Sequence, residues 1–181
     1  MNSHPYLDAT RQWVERVVID LNLCPFAKRE LVKDRIRFAV TEADSEDALV
    51  WALQEELQRL DRQPEIETTL LIHPRVLTDF QDYIDFLAVA EGLLTHQGYE
   101  GIYQIASFHP HYQFEGTAGA DAENYTNRSP YPVLHLLREA SLSRAIDQYP
   151  DVDAIPQRNI QVVDRLGAQH MKALLRTCCE G

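Results

Sequence analysis

The chain has 181 residues, 45% of them apolar and 25% charged, with a formal net charge of -11. A chain of this length buries roughly 70% of its unfolded surface, so it needs no metal or disulfide staple to fold. The acidic balance argues against a nucleic-acid backbone or an anionic membrane as the main partner, and no apolar run approaches the ~18 residues of a membrane span.

Met1 to Asp8 carries neither the basic region nor the apolar stretch of a signal peptide. The three cysteines, Cys24, Cys178 and Cys179, form no disulfide framework. A cytoplasmic location is the expectation, and no oligomeric state is implied.

In chain order, Asp8 is placed to cap a first helix whose apolar face is Trp13, Val14, Val17, Val18 and Leu21. Arg35 to Thr41 alternates polar and apolar residues and reads as a strand. Asp44 or Ser45 caps a second helix carrying Leu49, Leu53, Leu57 and Leu60, ended by Pro64. Glu65 to Ile72 is a second strand that closes on His73-Pro74. Thr78 followed by Gln81 makes a capping box for a third helix, which Gly98 terminates. Gly101 to Phe108 is a third strand, and it also runs into His-Pro, at His109-Pro110.

About 20 residues without helical or strand periodicity follow, from His109 to Tyr131, a loop length that inside a domain usually signals function. A short strand at Tyr112 to Phe114 is the one regular element expected within it. Ser129-Pro130-Tyr131-Pro132 reads as the start of a helix through Leu134, Leu137 and Arg138, because proline favours the first helical turn. Helices from about Leu142 to Gln148 and Arg158 to Thr177 complete the chain.

This order predicts a single α/β domain over 1–181, a small sandwich with a mainly parallel sheet built from α-β-α-β-α-β units. The C-terminal helical part is expected over about 132–178. Parallel strands joined by right-handed crossovers end on one edge of the sheet, where ligands bind in such folds. His73 and His109 are therefore expected to share one crevice.

The working surface is expected between about Ser107 and Glu139. His109 and His111 lie two apart in extended backbone and can share one divalent metal such as zinc, or act as acid and base. Glu115 or His73, with Asp121 or Glu123 as further candidates, would complete a three-ligand site that polarises an oxygen or activates water. Asn124, Asn127, Arg128 and Ser129 precede the expected helix start, where free N–H groups and Arg128 would hold an anionic group, with Arg138 farther along. Equally, Asn127 and Ser129 would only cap that helix while Arg128 pairs with Glu123 or Asp121.

Gly116-Thr117-Ala118-Gly119 lacks the lysine of a nucleotide-phosphate loop, and the glycines form no dinucleotide fingerprint. Cys24, in Leu23-Cys24-Pro25-Phe26, is either a nucleophile served by a crevice histidine or a buried structural thiol. His135, between Leu134 and Leu136, is either a satisfied core histidine or a participant.

Leu23 to Ala27, Phe108 to Thr117 and Asp121 to Glu139 together resemble a mainly bacterial family of unknown function, domain of unknown function 1415. The resemblance covers nearly the whole chain. It implies a cytoplasmic single-domain protein and brings no catalytic assignment. From the residues, the leading expectation is an enzyme acting on a small anionic substrate by metal-assisted hydrolysis or acid-base chemistry. In it, His109, His111 and Glu123 act at the reacting centre. The alternatives are a metal-free enzyme using Cys24, and a non-catalytic module that binds a ligand or a protein.

Overall fold

The computed structural model describes residues 4–180. Its first helix, α1 (Pro5–Trp13), begins on a proline in the first turn, with His4 rather than Asp8 at the cap position. The chain continues directly into a π-helical segment, Val14–Ile19. The wider π turn changes which side chains align, and such segments recur beside functional sites. A short helix that the sequence pattern did not suggest, α2 (Ala27–Val32), leads into β1 (Ile36–Val40).

Ser45 caps α3 (Glu46–Arg62), its hydroxyl accepting the Ala48 N–H. Leu49, Leu53, Leu57 and Leu60 are all fully buried along this helix, each contributing roughly 1.5–3 kcal/mol of burial. After β2 (Thr68–Ile72) comes α4 (Phe80–His96), capped by Asp79 instead of Thr78. The Asp79 carboxylate accepts the N–H groups of both Gln81 and Asp82, and a carboxylate at a helix N-terminus also meets the positive end of the dipole. Then follow β3 (Tyr103–Phe108) and a 3-10 segment at Ala122–Thr126, with a second at Val152–Ala154 farther along. No strand forms at Tyr112 to Phe114.

The largest correction to the sequence reading follows that loop. The expected helix after Pro132 is a strand, β4 (Val133–Arg138). It inserts between β2 and β3, giving the order β1-β2-β4-β3, and runs antiparallel to both neighbours. The sheet is therefore mixed and mostly antiparallel, with β1-β2 its one parallel pairing. Strand geometry suits this segment because it is apolar on both faces. Leu134 and Leu136 pack beneath α3 and α4, and Val133 packs on the opposite side. Pro130 and Pro132 favour extended backbone in the residues preceding them, so they deliver the chain to a strand rather than to a helical turn.

The remaining helices are α5 (Glu139–Asp147), α6 (Ile155–Leu166) and α7 (Ala168–Cys179). Gly167, at φ 82°, breaks what the sequence pattern suggested as one long C-terminal helix. α3 and α4 cover one face of the sheet. α1, the π-helical segment, α6 and α7 cover the other, around Trp13, Val17, Ile72, Val163 and Met171. Among the described residues no helix is long and apolar enough to cross a membrane.

Candidate functional site

β4 reverses direction between β2 and β3, so those two strands still point the same way and end on one edge. His73 and His109 do meet there, both fully buried, but as part of a packed cluster. Tyr83 stacks on His73 at 5.8 Å between ring centroids and lies 5.1 Å from His109. The Tyr83 hydroxyl donates to the Val133 carbonyl at 2.7 Å and accepts the Phe108 N–H at 3.1 Å.

His73 Nδ1 donates to the Val76 carbonyl at 3.0 Å. His109 Nε2 donates to the Leu77 carbonyl at 3.1 Å, and its Nδ1 accepts the His111 N–H at 3.0 Å. Both ring nitrogens of His109 are thus committed. Desolvation pulls both histidines down to about 4, so both stay neutral near pH 7.

This arrangement does not bring the expected metal ligands together. His111 and Glu115 are exposed, and Glu115 lines a different part of the molecule. Among the described residues no group of three or more His, Cys, Asp or Glu side chains is placed to hold a metal ion.

The expected anion site is corrected as well, because no helix begins at Ser129. Asn124 is fully buried. Its side-chain oxygen accepts the Phe114 N–H and the Thr117 hydroxyl, and its amide donates to the Ala118 carbonyl. Arg128 donates to the carbonyls of Tyr112 and Gly119 and lies 4.6 Å over the Tyr125 ring, not against Glu123 or Asp121. Asn127 donates to the Ser107 carbonyl, and the buried Ser129 hydroxyl to that of Tyr131. Arg138 reaches back to the carbonyls of Leu60, Gln63 and Ile66 around the end of α3. These side chains hold the long loop and the strand after it in shape.

The open space lies on the other face of the sheet. A cavity of about 280 Å³ is walled by Trp13 and Val14 from the helical N-terminal segment, Leu70 from β2, and Ala106 and Phe108 from β3. The vacancy has a local cause, since Ala27, Ala106, Ala145 and Ser141 stand where larger side chains would fill it. His135 forms part of the wall, with the Ala106 and Leu70 positions as its strand partners. Its Nε2 lies 2.7 Å from the Thr68 hydroxyl, and burial lowers its pKa to about 4. Arg29, paired with Glu30 at 2.6 Å, contributes to the same wall.

Val18, Cys24 and Phe108 line this cavity and also a second, more polar one of about 660 Å³. The second is bounded by Glu115, Thr117, Glu123 and Asn127 from the long loop and by Asn159 from α6. Cys24 therefore sits where the two chambers adjoin. Burial pushes its thiol up, with the N–H groups of Phe26 and Ala27 opposing that shift, so it is mostly protonated at neutral pH.

The two chambers thus gather Cys24, Glu115, Glu123, Asn127 and Arg138 of the expected residues, and they leave His73, His109 and His111 elsewhere. Sequence reasoning missed Thr68, Ala106 and the π-helical segment. The available signal was Ala106-Ser107, a pair of small residues between Ile105 and Phe108.

No curated protein and no solved structure matches the chain. A family model described as a protein of unknown function, DUF1415, matches residues 6–173. That match spans nearly the whole sequence, including both chambers' walls, and the chain belongs to this family.

Proposed function

We propose that this protein binds a small, largely apolar molecule in the chamber beside His135. The observation that carries this reading is the apolar cavity of about 280 Å³ on a sheet face that is otherwise closely packed. Close packing is the rule in protein interiors, and a vacancy bordered by several small residues forgoes packing energy that bulkier side chains would supply. Its size is near the lower end of small-molecule sites, which are commonly apolar with a few polar groups that fix orientation.

Support for the earlier enzymatic expectations is weaker. Both ring nitrogens of His109 are bonded inside the fold, His111 stands exposed apart from any further ligand, and the Cys24 thiol is held protonated. The acidic outer chamber, with Glu115 and Glu123, also disfavours an anionic ligand.

The test is titration of isotope-labelled protein with toluene and related small aromatics, following the backbone amide signals of Ala106, Ala145 and Cys24. Saturable shifts at these positions are expected. Ala106→Leu, which places three further carbons in the cavity, should abolish them while the rest of the spectrum is retained. Shifts that are absent, or that persist unchanged in Ala106→Leu, would defeat the reading.

A further inference from the structure

The hydrogen atoms around His135 are fixed by its neighbours. The Thr68 hydroxyl has one proton, and it donates that proton to the Leu136 carbonyl at 2.6 Å. A carbonyl oxygen can only accept, so Thr68 Oγ1 must accept from the ring nitrogen 2.7 Å away. His135 therefore carries its proton on Nε2, and Nδ1 is a bare lone pair.

Nδ1 bonds no described residue, yet it is not among the buried polar atoms that lack a partner. It is therefore not sealed off, and the half-buried ring that carries it lines the cavity. The result is an apolar chamber with an unpartnered acceptor in its wall. Burial also resists protonation of the ring, so the acceptor persists through neutral pH.

We propose that the cavity selects ligands that carry a neutral hydrogen-bond donor on an apolar body, with His135 Nδ1 as the acceptor and a phenol or alcohol hydroxyl as the simplest match. The proposal rests on the ligand-binding reading above. A donor is needed because an acceptor left unpaired in a desolvated site costs more than its hydrogen bond returns. Neutrality follows from the walls. A carboxylate would face the Nδ1 lone pair without a proton to share. The charged side chains of the same wall are already engaged, Arg29 with Glu30, Glu67 with Arg35 and Arg138 with backbone carbonyls, so a charged ligand would lose its hydration against Leu70, Ala106 and Phe108 without a free partner. Selectivity of this kind is large because a site built for a hydroxyl rejects the analogue that lacks it.

The experiment compares 4-methylphenol with its methyl ether, 4-methylanisole, and with toluene. On the native protein the phenol should bind about tenfold or more tighter than the ether, as expected for one desolvated hydrogen bond. In His135→Phe, which keeps a ring of similar size, the two should bind within about twofold of each other, since only the acceptor is removed. Nitrogen-15 spectra of the native protein supply a second readout that does not depend on a variant folding. His135 should show a protonated Nε2 and an unprotonated Nδ1, and the Nδ1 resonance should move with the phenol and not with the ether.

Equal affinity of phenol and ether for the native protein, or a phenol preference that survives in His135→Phe, would overturn the donor rule alone. A ring protonated at Nδ1 would also overturn it. Failure of all three compounds, toluene included, would overturn the cavity reading and the donor rule together.

Discussion

Tyr83 and His73 lie nearly parallel, with ring centroids 5.8 Å apart and planes inclined by 14°. Through its hydroxyl the same tyrosine joins β4 to the end of β3 by bonding the Val133 carbonyl and the Phe108 N–H. It is the post around which the strand ends are set, and both backbone groups depend on it. Tyr83→Phe keeps the ring and removes the hydroxyl. It should cost about 1–3 kcal/mol, the usual penalty for stranding buried polar groups. Urea unfolding of the two proteins measures this, and a change within error would show that water replaces the hydroxyl.

His109 and His111 separate a structural role from a surface one. His109→Ala removes a fully buried ring and leaves the Leu77 carbonyl and the His111 N–H without partners. A loss of about 2–4 kcal/mol is expected from the combined cavity and hydrogen-bond terms. His111→Ala, at an exposed side chain, should stay within about 0.5 kcal/mol of the native protein. Neither variant should change the response of Tm to added zinc. A zinc-dependent rise in Tm that disappears in both variants would restore the metal reading.

Three histidines, the buried His73 and His109 and the half-buried His135, have pKa values lowered from 6.5 to about 4 by desolvation. Between those values the unfolded chain takes up protons that the folded chain refuses. Their contribution favours the folded state fully above pH 6.5 and is lost as the pH falls toward 4. Unfolding free energy measured against pH should therefore fall on acidification with a slope of up to about three protons from these groups. His135→Phe should reduce that slope by roughly one proton. An unchanged slope would mean that His135 is already protonated in the folded protein, or that its partners shield it less than the burial implies.

Much of the frame was legible in the sequence. Ser45 and the leucines at 49, 53, 57 and 60 signal α3 through cap chemistry and helical spacing, and these signals are local. The paired His-Pro strand ends do bring His73 and His109 to one edge, but as a packed cluster and not as the walls of the expected crevice. The strand β4 was not legible, because Val133 to Leu137 is a short apolar run, and such runs fit a buried strand or a helix equally well. Pro130 and Pro132 tipped the reading toward a helix through their first-turn preference, although their effect on preceding residues points the other way.

The site was less legible than the fold. Asn124, Arg128 and Ser129 have the chemistry to hold a ligand and use it to hold a loop, a choice decided by which carbonyls lie within reach. A vacancy is a tertiary property as well. Ala27, Ala106 and Ala145 come from three separate elements, and nothing in their local sequence announces that they border one space. His135 could be read as core or participant from sequence, and only the Thr68 hydroxyl distinguishes its two nitrogens.

Arg138 tests whether the expected substrate-binding arginines are structural. Its guanidinium donates to three carbonyls around the end of α3, those of Leu60 at 2.6 Å, Ile66 at 3.0 Å and Gln63 at 3.3 Å. It also bonds the Tyr103 hydroxyl at 3.3 Å, which in turn donates to Asp61 at 2.7 Å. A planar fork can serve several acceptors at once, whereas an ammonium on a flexible stem cannot reproduce that geometry. Arg138→Lys should therefore destabilise the protein by about 1–3 kcal/mol even though the charge is kept. Arg138→Met should cost at least as much and should raise amide exchange at the C-terminal turn of α3. Arg138 also lines the cavity, but its guanidinium is engaged by backbone carbonyls, so binding of 4-methylphenol should change less than stability. A lysine variant of native stability that no longer binds the phenol would instead place Arg138 at the ligand.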